Sequence, residues 1–280
     1  MLVTLKEILK IAEAEGCAIG SFNTPNLESL SAVIGAAEEL KRPVIIMHAQ
    51  LHEEMGICSL DTIGRIMIIA AEKASVPVCV HLDHGTDLSY IKSALDLGFT
   101  SVMYDGSALP FAANSANTQI AVSQAAKYGA SVEGEIGSMG SREGGEKSDT
   151  EEMYTKPDDA VRFTKETGIN ALACSFGTAH GIYKAAPKLD FERVEKIKSL
   201  VNVPLVMHGG SGISEEGFRK AISCGIRKIN YYTYMAKAGG TAVSAMDDLT
   251  FWHDIAKAAE LAMKEDAKHA IKIFSNREEL

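Results

Sequence analysis

The run Val78-Cys79-Val80-His81-Leu82-Asp83-His84-Gly85 carries the first recognisable chemistry of the chain. An apolar, β-branched stretch opened by Pro77 breaks into two imidazoles and a carboxylate. Runs of this length between punctuating residues predict a buried strand of a parallel sheet. The end of such a strand would hold metal ligands and an acid/base group on a rigid support. A buried histidine satisfied by hydrogen bonds is the plain alternative for any one such run. Repetition decides against it. Asp105 ends the apolar run from Ser101, Glu135 stands near the end of Ser131–Ile136, and His208 ends Pro204–His208. His180 follows Ala171–Phe176 in Gly177-Thr178-Ala179-His180-Gly181. Of eight histidines, His81, His84, His180 and His208 all fall towards the ends of predicted strands. Three imidazoles with an open fourth position suit a catalytic zinc ion, and carboxylates nearby can hold a second metal position or orient the ligands. The glycines beside His180 and His208 would present backbone N–H groups to an anionic substrate.

The elements that must position these groups follow one rhythm. Predicted strands are Cys17–Asn23, Pro43–Ala49, Val78–Gly85, Ser101–Asp105, Ser131–Ile136, Ala171–Phe176, Pro204–His208 and Lys228–Tyr231. Amphipathic helices lie between them. Asn26 caps one with Leu27, Leu30, Val33, Ile34 and Ala37 at helical spacing, and Gly129, Gly168 and Gly225 end others just before the next strand. Eight strand–helix units in about 250 residues predict an α/β fold, a (β/α)8 TIM barrel, as a single domain over residues 1–280. A doubly wound open sheet is the competing architecture, but no Gly-x-Gly-x-x-Gly follows the first strand. Two segments break the rhythm. Residues 138–156 are rich in glycine and charge and predict a flap over the barrel mouth, against the plainer reading of a solvated loop. Residues 234–254, with Gly239 and Gly240, form an interruption before a last helix from about Asp254 to Ile273.

Bulk properties narrow the function. At 46% hydrophobic the chain can bury a sizeable core, and without an apolar run of 18 residues it predicts no membrane span. The start, Met1-Leu2-Val3-Thr4-Leu5-Lys6-Glu7, lacks the pattern of a secretory signal. Five cysteines without Cys-x-x-Cys spacing predict buried thiols in a reducing compartment, hence a cytoplasmic protein. A formal charge of −9 argues against nucleic acid as a partner.

Taken in order, Ala18-Ile19-Gly20-Ser21-Phe22-Asn23, His81-Leu82-Asp83-His84-Gly85, Asp105-Gly106-Ser107, Glu133-Gly134-Glu135-Ile136-Gly137, Gly177-Thr178-Ala179-His180-Gly181, His208-Gly209-Gly210-Ser211-Gly212 and Asn230-x-x-Thr233 cover nearly the whole chain. Together they resemble the class II, zinc-dependent fructose- and tagatose-bisphosphate aldolases. The resemblance implies a lyase of carbohydrate metabolism that cleaves the C3–C4 bond of a ketose. It implies zinc on His84, His180 and His208, with Glu135 and Asp105 near an alternate metal position and a monovalent cation as an optional companion. It assigns Asp83 to the C4 hydroxyl proton and Glu143, on the flap, to the proton of the carbanion carbon. Gly181, Gly209, Ser211, Asn230 and Thr233 would receive the dihydroxyacetone phosphate end, with Asn23, Lys184 and Tyr232 added to the substrate-binding set. The partner implied is a small sugar, with assembly as a homodimer or homotetramer.

The chain also departs from the family. Its eighth strand ends in Asn230-Tyr231-Tyr232-Thr233-Tyr234, where small or acidic residues are usual, and Met47, Ala49, Ala108 and Arg142 replace common polar or acidic residues. On an extended strand Tyr232 would share a face with Asn230 and Tyr234 and alter the C1 end of the ketose pocket. This points to a variant substrate with an anionic C6 group, phosphate or sulfonate, in the manner of sulfofructose; an ordinary fructose- or tagatose-1,6-bisphosphate aldolase is the alternative. A zinc hydrolase is disfavoured because the first strand offers Asn23 rather than a His-x-His pair. A binding protein that lost the chemistry is disfavoured by the intact Asp83, His84, His180 and His208.

Overall fold

The computed structural model describes residues 1–137, 140–141, 154–181, 187–247 and 249–276. Eight parallel strands form the barrel: β1 Ile19–Asn23, β2 Val44–Ala49, β3 Val78–Gly85, β4 Ser101–Tyr104, β5 Ser131–Ile136, β6 Ala171–Cys174, β7 Leu205–Met207 and β8 Ile226–Tyr231. Each pairs with the next in sequence, and β8 pairs with β1 through Asn230↔Ser21 and Tyr231↔Phe22, which closes the ring. The helices that return the chain are α1 Leu27–Leu40, α2 Leu60–Lys73, α3 Leu88–Asp96, α4 Phe111–Ala126, α5 Pro157–Thr167, α6 Phe191–Leu200, α7 Glu215–Ser223 and α8 Thr233–Ser244, with α9 Trp252–Phe274 after them. The fold is the (β/α)8 barrel that the rhythm of the sequence predicts.

Local chemistry sets these boundaries. Asn26 Oδ1 accepts from Ser29 N at 2.9 Å to start α1, and Asp87 Oδ1 accepts from Ser89 N at 2.7 Å to start α3. Gly168 stands at φ 70° after α5, a left-handed position where a Cβ would be penalised. The expected interruption after the eighth strand is a regular helix instead. α8 tolerates Gly239 because a Cβ there would meet Met263 Cγ of α9 at 3.0 Å, so the bare glycine permits close helix packing.

Two cores result. The outer one lies between strands and helices, with Phe22, Val33, Ile46, Val80, Phe163, Phe176 and Phe274 buried in it. The inner one is a floor: Leu5, Ile8, Leu9 and Ala12 of the N-terminal helix (Leu5–Glu15) pack against Ile19, Ile45, Cys79, Ala171 and Val206. Above that floor the barrel interior turns polar, since period-two alternation keeps Cys79, His81 and Asp83 on one face of β3 and Glu133 and Glu135 on one face of β5. No helix among the described residues is long and apolar enough to cross a membrane.

Candidate active site

β3 delivers two neighbouring side chains to the same place, which plain alternation forbids. The β3–β4 register shifts between Leu82 and Gly85, and His84 takes φ 48°, a left-handed conformation rare for a residue with a side chain. A bulge of this kind re-aims a side chain at a local conformational cost of about 1–3 kcal/mol. Asp83 and His84 thereby both line the mouth of the barrel.

The buried Asp83 carboxylate is held from two strands. Asn23 Nδ2 donates to Oδ2 at 3.0 Å and Asn230 Nδ2 donates to Oδ1 at 3.1 Å. Burial disfavours its charge, but His84, His208, Lys228 and the Asn23 amide outweigh burial and hold its pKa below the usual carboxylate range. His84 Nδ1 lies 2.7 Å from Asp105 Oδ2, and Ser107 N and Oγ donate to Asp105 Oδ1 at 3.0 and 2.7 Å. Burial opposes protonation of His84, yet Asp83, Asp105 and Glu135 push its pKa up to about 10. The His84 and His208 rings meet edge to face with centroids 4.7 Å apart. His208 Nε2 lies 2.7 Å from Glu133 Oε1, and its Nδ1 lies 3.5 Å from Glu135 Oε2. Glu135 is buried and its Oε2 has no hydrogen-bond partner; burial and the charge of Asp105 raise its pKa well above the usual value.

This donor set fits a divalent metal. Asp83, His84 and His208 bring ligand atoms within 4.8 Å of one another, and so do His84, Asp105 and Glu135. Each imidazole has its far nitrogen oriented by a carboxylate, Asp105 for His84 and Glu133 for His208, as metal-ligating histidines require. His180 joins them by backbone: Ala179–His180 pairs with Gly140–Ser141, and a Cβ on Gly209 (φ 63°) would meet Ala179 O at 2.4 Å. The strand carrying His180 can approach the end of β7 only because residue 209 is glycine. The side chain of His180 lies outside the described residues, as do Glu143, Lys184 and most of the expected flap over 138–156.

A cavity of about 440 Å³ opens above the cluster. Asn23, Asp83, His84, Asp105, Glu135, Gly181, Gly209, Ser211, Asn230, Tyr232 and Thr233, expected from scattered motifs, all line it. Other expectations are corrected. His81 is not on the rim: it sits one layer down, buried, with Nδ1 2.7 Å from Ser101 Oγ and Nε2 3.7 Å from Glu133 Oε2. The Gly210 amide is committed to Asn230 O at 3.1 Å and so leaves the set of anion donors. Tyr234 does not share a face with Asn230 and Tyr232 as expected, because β8 ends at Tyr231 and Thr233 begins α8. Tyr231 packs edge-on against Phe22 and Phe274 outside the barrel, while Tyr234 stands beside Lys237 on α8. The Tyr232 ring meets His52 at the mouth with centroids 5.3 Å apart, and Tyr231 also lines the cavity.

His52 was not singled out from the sequence, although it lines the cavity from the short helix Gln50–Glu54 together with nearby Leu51, Met55 and Ile57. It is buried, its Nδ1 has no hydrogen-bond partner, and burial lowers its pKa. Glu133 and Lys228 were likewise assigned no role. Their signal was present in Glu133-x-Glu135 and Lys228-x-Asn230, where period two puts a charge directly beneath a site residue.

A closed barrel whose C-terminal mouth gathers imidazoles, carboxylates and a deep cavity is the architecture of a metal-dependent barrel enzyme. The model of the family "Fructose-bisphosphate aldolase class-II" matches residues 3–279, and the chain belongs to that family. It is therefore an aldolase-type lyase. It is 40% identical over 259 residues to the Escherichia coli K12 protein YdjI, covering 92% of each chain, and the crystal structure of the YdjI aldolase superposes with a TM-score of 0.88 over 98% of this chain and 97% of that one. It is 37% identical over 277 residues to the sulfofructosephosphate aldolase of Alkalicoccus urumqiensis, covering 97% and 96% of the two chains. A fructose-1,6-bisphosphate aldolase structure from Coccidioides immitis, described as putative, superposes with a TM-score of 0.86 at 29% identity over 96% of this chain and 95% of that one.

Proposed function

We propose that the chain is a zinc-dependent aldolase that cleaves the C3–C4 bond of a ketose bearing an anionic C6 group, phosphate or sulfonate. The products are dihydroxyacetone or its phosphate and an aldehyde. The observation that carries this reading is the convergence on one cavity of a doubly anchored carboxylate, Asp83, with His84, Asp105 and Glu135, and the buried His208 within 4.8 Å of the Asp83 and His84 ligand atoms. His84, His180 and His208 would hold the zinc ion, with Glu135 and Asp105 beside an alternate position. Bound there, zinc would supply positive charge opposite the electron pair left on the ketose half.

The remaining chemistry belongs to side chains. Asp83 takes the proton of the C4 hydroxyl as the C4–O bond becomes a carbonyl and the C3–C4 pair stays with the ketose half. Asn23 and Asn230 fix both carboxylate oxygens, so Asp83 meets the hydroxyl without rotamer search. Glu143 then delivers the proton to C3. The relative acting on a fructose with sulfonate and phosphate groups supports an anion at each end of the cavity. Tyr232 supports an altered C1 end, since its phenol narrows the mouth beside Ser211, whose Oγ accepts from Tyr232 N at 3.3 Å. A second reading, an ordinary fructose- or tagatose-1,6-bisphosphate aldolase, is favoured by one observation: Tyr234 stands beside Lys237 on α8 and does not line the cavity.

The test is aldehyde release from a panel of ketoses with and without C1 phosphate and with C6 phosphate or sulfonate, before and after chelation. Release should favour C6-anionic ketoses other than the 1,6-bisphosphates, vanish with chelator and return with zinc. Full activity in the metal-free sample, with a lysine Schiff base trapped by borohydride, overturns the reading. A kcat/KM of about 10⁴ M⁻¹s⁻¹ or more on a 1,6-bisphosphate would select the second reading.

A further inference from the structure

Beneath the cavity lies a cation that the proposed reaction does not use. Lys228 is fully buried, with Nζ 2.6 Å from Asn230 Oδ1 and 3.0 Å from Glu133 Oε2. Two chains of contacts leave it. One runs through Asn230 to Asp83, and the other through Glu133 to His208. We propose that Lys228 is a positioning residue whose single buried charge fixes the hydrogen-bond direction along both chains, and so sets the state in which Asp83 and His208 meet the substrate and the metal.

The reasoning is one of donors and acceptors. An ammonium group can only donate. The Asn230 amide must therefore turn its oxygen to Nζ, which leaves its NH2 facing Asp83 Oδ1 at 3.1 Å. The flipped amide would set NH2 against ammonium and oxygen against carboxylate, two repulsions in a buried site. On the other side Nζ makes an ion pair with Glu133 Oε2 at 3.0 Å, and the second carboxylate oxygen, Oε1, is turned to His208 Nε2 at 2.7 Å as an acceptor. The His208 nitrogen 2.7 Å away must then carry the proton, so the Nε2–H tautomer is selected and the Nδ1 lone pair turns to the cluster. Without the cation, Asp83 alone orients the amide, and the Glu133 carboxylate beside His208 loses its counter-charge.

A fully buried ion pair is weak evidence for a stabilising role, because apolar replacement of both partners is often neutral or favourable. The geometry assigns this one a directional role instead. The inference rests on the proposed function for the duties of Asp83 and His208, but its test does not need the aldolase reaction.

The first measurement needs no substitution. Long-range ¹H–¹⁵N spectra of histidine-labelled protein stripped of metal should show His208, assigned by loss of its signal in His208→Gln, as the Nε2–H tautomer. A proton on Nδ1 overturns the proposal. The second compares wild type with Lys228→Met and with the charge-balanced Lys228→Met/Glu133→Gln, which removes the uncompensated carboxylate should the single variant fail to fold. Expected are a mixed His208 tautomer, zinc affinity lowered about 10–100-fold in competition with a chromophoric chelator, and a fall in kcat with KM within about twofold. A folded variant with unchanged tautomer and unchanged zinc affinity overturns it. A wild-type protein with the expected tautomer but no aldolase activity would refute the proposed function and leave this inference standing.

Discussion

His84 and His48 stand on adjacent strands, with His48 paired to Leu82 in the β2–β3 ladder, and their pKa values are shifted in opposite directions. His84 is surrounded by Asp83, Asp105 and Glu135, and these overcome burial to push its pKa up to about 10. His48 is fully buried, and its Nε2 lies 2.8 Å from the Tyr90 hydroxyl, which in turn donates to Glu53 Oε2 at 2.6 Å. There burial wins, with neighbouring His52 adding to it, and the pKa falls to about 4. Both rings have lost most of their water; what separates them is whether the next group carries a full negative charge or a phenol. The same contrast divides the cavity. Its β3–β5–β7 side attracts protons or a metal, and its β2 side presents His52, whose pKa burial lowers, beside Tyr232.

The largest effect should come from the charged side. Asp83→Asn keeps both amide neighbours and every proposed metal ligand but removes the base, so kcat should fall by about 10²–10⁴ with fold and metal content unchanged. Steady-state kinetics beside metal analysis would check this, and a near wild-type kcat would move the proton to another group.

On the neutral side the sharper handle is stability. The folded pKa of His48 lies near 4, below the 6.5 of a free histidine, so the unfolded chain binds its proton first as pH falls. Stability from this residue is complete above pH 6.5 and is lost between there and pH 4, in total about 3 kcal/mol. Urea unfolding at several pH values should give this slope, and His48→Gln should flatten it. An unchanged slope would mean that the acid loss comes from elsewhere, with buried His81 the next candidate.

The smallest effect distinguishes the two sides within the cavity. His52→Ala should raise KM for the preferred ketose about 2- to 10-fold, the worth of one neutral hydrogen bond, while kcat stays within about twofold. A collapse of kcat instead would place His52 among the reacting groups and erase the contrast.

Much of this was legible in order along the chain. Strand and helix signals repeat eight times, and the cap at Asn26 stands where the sequence predicts. The functional groups were legible for a related reason: a barrel collects strand ends at one mouth, so residues as distant as Asn23 and Thr233 reach one cavity by topology alone. Tyr234 departs from the expected face because alternation does not extend past Tyr231, where the strand stops.

The sequence by itself determined the eight-fold alternation, the inward-facing set on each strand and the kinds of donor available at the mouth. Only the tertiary structure decided what those donors became. A bulge and a left-handed φ turned His84 beside Asp83, a glycine at 209 let Ala179 close in, and Lys228 came to face both Asn230 and Glu133. Strand patterns have a short period and are written locally, whereas charge state and hydrogen-bond direction depend on groups up to 147 residues apart that meet only when the barrel closes.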